Sequence, residues 1–193
     1  MIIGITGGSG SGKTTLLEEL RKLGALVLDC DAIYHQLLAT DPSLLAAIEA
    51  RFPGVVENGQ LHRKKLGAIV FSDKNALLDL NNITHAAIYA EVLRQLKSKP
   101  PLAAIDAIGL FESGLDGLCD VTVAVTAPAN VRILRLMERD HISENYAKSR
   151  IAAQPSDAWF REKCTYVLEN NGEKADFQAK CLAFFKELGI MKT

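Results

Sequence analysis

Cysteine is sparse and scattered in this chain. Cys30, Cys119, Cys164 and Cys181 include no pair at metal-ligand spacing. That excludes a zinc module built on cysteine pairs and a disulfide-stapled secreted scaffold, and the four read as reduced thiols. Net charge is also lacking, at -1 over 193 residues. Such a balance gives no electrostatic footprint for nucleic acid or an anionic membrane. No apolar run approaches the roughly 20 residues of a membrane helix. The opening residues lack the charged, apolar and small-residue regions of a signal peptide. These absences lead to an expectation of a cytoplasmic protein with no nucleic-acid and no membrane partner. No internal repeat or low-complexity linker is present, so the length suits one domain with small inserted lobes.

What is present is concentrated at the start. Met1 to Thr6 is a short apolar run, and Gly7 to Thr14 fits G-x-x-x-x-G-K-[ST]. An amphipathic run follows, with apolar residues at Leu16, Leu17, Leu20 and Leu23. The reading is strand, tight loop, helix. Glycines let the backbone curl round a phosphate and point N–H groups inward. The helix N-terminus adds partial positive charge. Lys13 supplies a cation for the outer phosphates, and the Thr14 hydroxyl suits Mg²⁺.

Farther on, Gly24 ends the first helix and Ala25–Leu28 reads as a buried strand running into Asp29-Cys30-Asp31. Ligands of open α/β sheets sit outside the carboxyl ends of strands, so these aspartates are expected on the edge that carries the loop. Either could instead cap the helix starting near Ala32. Residues 32 to 97 are mostly helical in pattern, interrupted by Phe52-Pro53-Gly54 and by an Asn58-Gly59 hairpin or loop signal. This insert is a natural substrate arm, with Arg63 and His85 as candidates for an anionic ligand. Leu102–Asp106 is an apolar strand ending in an acid, and Asp106 or Glu112 could assist Mg²⁺. Val121–Val125 is a further strand. Pro128 then opens a helix whose apolar face is expected at Ile133, Leu134 and Met137. Charged residues end it, Ser143 caps a second helix, and Gln154-Pro155-Ser156-Asp157 breaks that one. Arg132, Arg135, Arg139, Arg150 and Arg161 are spread over this stretch, and a mobile arginine-bearing flap over a nucleotide fits the layout. Tyr166–Leu168 is a last strand, Glu169–Gly172 a turn, and Lys174–Leu188 a closing helix. Alternating strands and helices predict an α/β doubly wound fold with a parallel five-stranded sheet.

In this order the motifs resemble those of the dephospho-coenzyme A kinase family. Thr6 to Thr15 is similar to its T-G-G-x-G-S-G-K-[ST]-[ST], and Asp29-Cys30-Asp31 to its D-x-D. Leu61-His62-Arg63, Thr84-His85, Ile105 to Glu112, Arg139-Asp140, Ala152 to Gln154 and Asn170-Asn171-Gly172 follow in register. Ser9, Ala86, Ile108 and Gly109 depart from the usual residues, without removing a group of assigned chemistry.

The resemblance implies a P-loop kinase with ATP as co-substrate, Mg²⁺ as cofactor and dephospho-CoA as the small-molecule substrate. It implies a core at about 1–31, 100–138 and 164–193, the substrate insert at 32–97 and a lid at 139–163. Gly8, Ser9, Gly10, Ser11, Gly12, Lys13, Thr14 and Thr15 would hold the phosphates, with Thr14 on the metal. Asp31 would be the base, and Asn171 would border the adenine. Arg63 and His85 would hold the acceptor, and Arg139 would reach from the lid. Two other readings differ in their chemistry. A nucleoside or nucleotide kinase would accept free nucleosides, and a regulatory ATPase would hydrolyse ATP without an acceptor.

Overall fold

The structure, a computed structural model, describes residues 1–191. It opens with β1 (Ile2–Thr6), α1 (Lys13–Lys22) and β2 (Leu26–Asp29). Next come α2 (Cys30–Thr40), α3 (Pro42–Arg51), the short strands β3 (Val56–Glu57) and β4 (Gln60–Leu61), α4 (Arg63–Val70) and α5 (Lys74–Leu96). The chain then returns through β5 (Ala103–Asp106), a 3₁₀ turn at Leu115–Leu118, β6 (Val121–Thr126), α6 (Ala129–Asp140), α7 (Glu144–Ala152), α8 (Asp157–Lys163), β7 (Tyr166–Glu169) and α9 (Lys174–Glu187). The five-stranded sheet runs β2-β5-β1-β6-β7. β1 pairs in parallel with β5 and β6, and β6 with β7.

Backbone contacts divide the chain into two units. The first holds residues 1–27, 100–110 and 116 onward. Its middle strand, β1, is covered on both faces, which is why it reads as a continuous apolar run. Ile3 and Ile5 alternate onto one face with Val123 and Val125 of β6. Leu16, Leu17 and Leu20 of α1 and Phe177, Cys181, Phe184 and Phe185 of α9 complete this core. Each fully buried Leu, Ile or Phe here contributes about 1.5–3 kcal/mol.

The second unit holds Leu28–Lys99 with Phe111–Leu115. Its own core gathers Leu38, Leu44, Leu45, Ile48, Phe52, Val55, Leu66, Val70 and Ala76. Asn58-Gly59 makes the turn between β3 and β4, both residues at positive φ (51° and 72°), the combination that closes a two-residue hairpin. Asp29, Asp41 and Asp73 cap α2, α3 and α5 through their side chains.

One open alternative is decided, and one local expectation changes. The aspartate pair after β2 is split between roles: Asp29 accepts the Ala32 N–H at 3.0 Å as the cap, and Asp31 lies exposed in the first turn of α2. In α6, Leu134 faces solvent at 64% exposure, and the buried positions are Arg132 and Leu136. At 100° per residue the stripe centred on 132 and 136 turns 134 away. An arginine at a core position hides that stripe from a hydrophobicity reading. Among the described residues, no helix is long and apolar enough to cross a membrane.

Candidate active site

The site begins where β1 runs out. Gly12 precedes the first helical residue, Lys13, at φ 100°, a left-handed conformation open to glycine at little cost. No side chain caps α1, and its first turn carries no acidic residue. No carboxylate or capping side chain therefore competes with an anion at this positive helix end. Ser11 Oγ is fully buried with no hydrogen-bond partner. A buried hydroxyl without a partner is costly, and a phosphate oxygen would satisfy it. Lys13 Nζ donates to the Gly7 carbonyl at 2.9 Å, so its ammonium is folded back over the loop. Thr14 is exposed in the first turn and Thr15 is half-buried, its N–H donating to the Gly12 carbonyl at 3.1 Å.

Side chains from later elements brace this loop. Asn170, 4% exposed just after β7, donates through Nδ2 to the Ser11 carbonyl at 2.8 Å. Arg135 reaches the Gly10 and Ser11 carbonyls at 3.4 and 3.3 Å and Asn170 Oδ1 at 3.2 Å. Arg132 donates through Nε to the Ser9 carbonyl at 3.0 Å. Its guanidinium occupies the space a Cβ at Gly8 would need, so residue 8 has to be glycine while that arginine is there. Gln154 meets Ser9 through both its amide atoms.

Of the arginines expected in the flap, Arg132 and Arg135 are thus the ones that meet the loop. Arg139 is 59% exposed at the end of α6 and makes a two-bond pair with Asp140, at 2.7 and 2.9 Å. Arg150 of α7 donates to the same carboxylate at 2.6 Å. These two arginines hold the Asp140 carboxyl well below the usual carboxylate range. Asn171 is exposed and donates to Glu169 Oε2 at 3.2 Å, whereas its neighbour Asn170 is the one on the loop. Asp106 ends β5, half-buried and in register with Ile5 of β1, and Glu112 lies exposed in a turn.

In the second unit, Asp31 and His35 stand one turn apart on the same face of α2. Arg63 lies within 3.2 Å of His35 Nδ1. Arginine only donates, so this nitrogen accepts and the ring hydrogen resides on Nε2. Arg63 also opens α4, which has no side-chain cap. Leu61, His62, Arg63, Lys64, Lys65 and Ala68 line an open depression of about 630 Å³. His85 is half-buried midway along α5.

Sequence reasoning gave no role to His35, placed Arg132 and Arg135 only among the arginines of a flap and Asn170 only in a turn bordering the adenine, and treated Gln154 only as part of a motif. Arg132 has a signal, a charged residue four positions before a buried leucine. The others look like any polar residue at a helix or strand end.

Burial pushes the Cys119 and Cys181 thiols up to about 12 and that of Cys164 to about 11. All three stay protonated at neutral pH. Cys30, between the two aspartates, is buried at 5% exposure.

A phosphate cradle opening a helix within a parallel sheet is common to many kinases, and sequence relationships narrow it. The model of the family described as dephospho-CoA kinase matches residues 1–176. The chain belongs to that family. A dephospho-CoA kinase of Moorella thermoacetica is 38% identical, covering 97% of this chain and 92% of the relative. A crystal structure of TT1252 from Thermus thermophilus superposes with a TM-score of 0.82 at 34% identity, covering 97% of each chain. A dephospho-CoA kinase from Campylobacter jejuni gives 0.69 at 28% identity, covering 98% of each. Family membership makes the chain an ATP-dependent phosphotransferase.

Proposed function

We propose that the chain transfers the γ-phosphoryl group of ATP to the ribose 3′-hydroxyl of dephospho-CoA, giving CoA and ADP, with the following division of labour. The acceptor oxygen bonds to the γ-phosphorus as the bond from that phosphorus to the β–γ bridging oxygen breaks, and ADP leaves with that oxygen. Asp31 takes the hydroxyl proton as general base. Its exposed place in the first turn of α2 keeps the carboxylate beside a positive helix end. Gly8 to Thr15 hold the ATP phosphates, and Lys13 neutralises charge that builds on them. Arg139 reaches the phosphates when it leaves Asp140. Asn171 borders the adenine. Arg63, oriented by His35, and His85 hold the acceptor, and the cationic lining around Arg63 suits its phosphates.

Mg²⁺ fits the residues present. The chain offers hard oxygen donors, the Thr14 hydroxyl and Asp106, and the described residues contain no cluster of three His, Cys, Asp or Glu. Mg²⁺ usually takes one or two protein ligands and completes its shell with phosphate oxygens and water. The Thr14 hydroxyl and Asp106 would hold it, and it would supply charge neutralisation at the nucleotide phosphates. Reduced, protonated thiols fit a cytoplasmic location.

The uncapped, acid-free start of α1 after a strand carries this reading. The test is ADP formation by the purified chain with ATP and Mg²⁺, with and without dephospho-CoA, and the product identified by mass. ADP that depends on the acceptor, with a product heavier by one phosphoryl group, is expected. ADP formation indifferent to dephospho-CoA sinks the assignment.

A further inference from the structure

Ser9 has all three of its polar groups engaged by side chains from outside the loop. Its N–H donates to Gln154 Oε1 at 2.8 Å. Its hydroxyl accepts from Gln154 Nε2 at 2.7 Å. Its carbonyl accepts from Arg132 Nε at 3.0 Å. Arg132 NH2 also donates to Gln154 Oε1 at 3.0 Å, which closes the ring of contacts. The arginine is 4% exposed, and its charge is balanced in part by Asp157 at 3.6 Å. Burial accordingly lowers the pKa of that guanidinium. Gln154 lies between α7 and α8, so this is the point at which the lid segment grips the loop.

We propose that Gln154 and Arg132 are positioning residues for ATP, a clasp that fixes the Ser9 peptide and so sets the shape of the phosphate loop. The Ser9 N–H, expected at a phosphate, serves the clasp. Phosphate binding falls to the remaining groups of Gly8 to Thr15. A glycine-rich loop has many conformations to lose on binding an anion. Side chains that hold the N–H, hydroxyl and carbonyl of one loop residue remove part of that cost beforehand. The clasp also ties the lid segment to the loop, so lid position and phosphate binding are coupled. This inference rests on Gly8 to Thr15 being the ATP phosphate loop.

The test is steady-state kinetics of Gln154→Ala and of the volume-conserving Gln154→Met, with Ser9→Ala added singly and in combination. Losing a buried hydrogen-bond network of this kind corresponds to about a tenfold change in affinity. Both Gln154 variants are expected to raise KM for ATP about tenfold, with kcat and KM for dephospho-CoA changed less than about threefold. Ser9→Ala is expected to weaken ATP less in the absence of Gln154 than in its presence, because the two groups share a bond. Folded Gln154→Met with an unchanged KM for ATP overturns the clasp, as does strict additivity of the Ser9 and Gln154 effects. The unaltered chain is titrated with ATP in parallel. Binding there alongside an unchanged variant rejects the clasp alone, whereas no binding there rejects the loop assignment as well.

Discussion

Asn170 and Ser11 are 159 residues apart in sequence and joined by a 2.8 Å hydrogen bond from the Asn170 side chain to the Ser11 carbonyl. The bond is buried, and Arg135 holds the other end of the same amide at 3.2 Å. A Cβ at Gly12 would overlap Asn170 Nδ2, so the loop and the end of β7 are fitted to each other. Asn170→Ala leaves the Ser11 carbonyl without this donor, which costs about 1–3 kcal/mol. The expected outcome is a KM for ATP raised about tenfold or more and a lower melting temperature. Asn171→Ala removes an exposed contact with Glu169 and should have the smaller effect. Equal effects at 170 and 171 would reverse this ranking.

Asp31→Asn keeps the size of the side chain and removes its basicity. Turnover should fall about 10²–10⁴-fold, the range for losing a general base. KM for ATP should stay within about threefold. Collapse of ATP affinity with turnover preserved would instead make Asp31 a metal or structural residue.

Arg139 and Arg150 share the Asp140 carboxylate, and they separate a chemical role from a bracing one. If Arg139 acts at the transferring phosphate as proposed, Arg139→Ala lowers kcat about 10–100-fold. Arg150→Ala is expected to cost less than about threefold in kcat, since its part is to hold α7 against α6. Matching kinetic losses in the two variants would mean that both act by bracing α7 against α6.

Acid should loosen the packing of α1 on α9. Glu19 is buried on α1 and accepts from Lys22 at 2.7 Å and from Gln178 of α9 at 2.9 Å. The Lys22 hydrogen bond, chiefly, holds its carboxyl below the ordinary value, against the opposing effect of burial. The unfolded chain therefore binds the proton at a higher pH than the folded one. Stability from this group is complete above about pH 4.5 and is lost as pH falls through the folded value. Melting curves of the unaltered chain and Glu19→Gln should differ most near pH 7, and the gap should shrink progressively as pH falls below about 4.5. A constant gap across that range would show that the carboxylate's charge is not the source.

Much of the molecule was legible along the chain because its signals are local. The loop from Gly7 to Thr14 dictates its own turn through glycine, and the strands announce themselves as short apolar runs. Asn58-Gly59 specifies its hairpin in two residues. The motifs that give the family, from Thr6 to Gly172, keep their order in sequence and need no coordinates. What the sequence left open was which of several similar residues performs a task. Asp29 or Asp31, Asn170 or Asn171, and Arg132, Arg135 or Arg139 differ little in chemistry. They differ in where a helix face or strand end points them. Only tertiary structure decided that Asp29 caps α2, that Asn170 rather than Asn171 turns inward, and that Arg132 occupies a core position of α6 beneath the loop. The last two choices depend on contacts between residues more than a hundred positions apart, and local sequence does not encode those distances; the first is a contact three residues long, which the sequence allowed without choosing between the two aspartates.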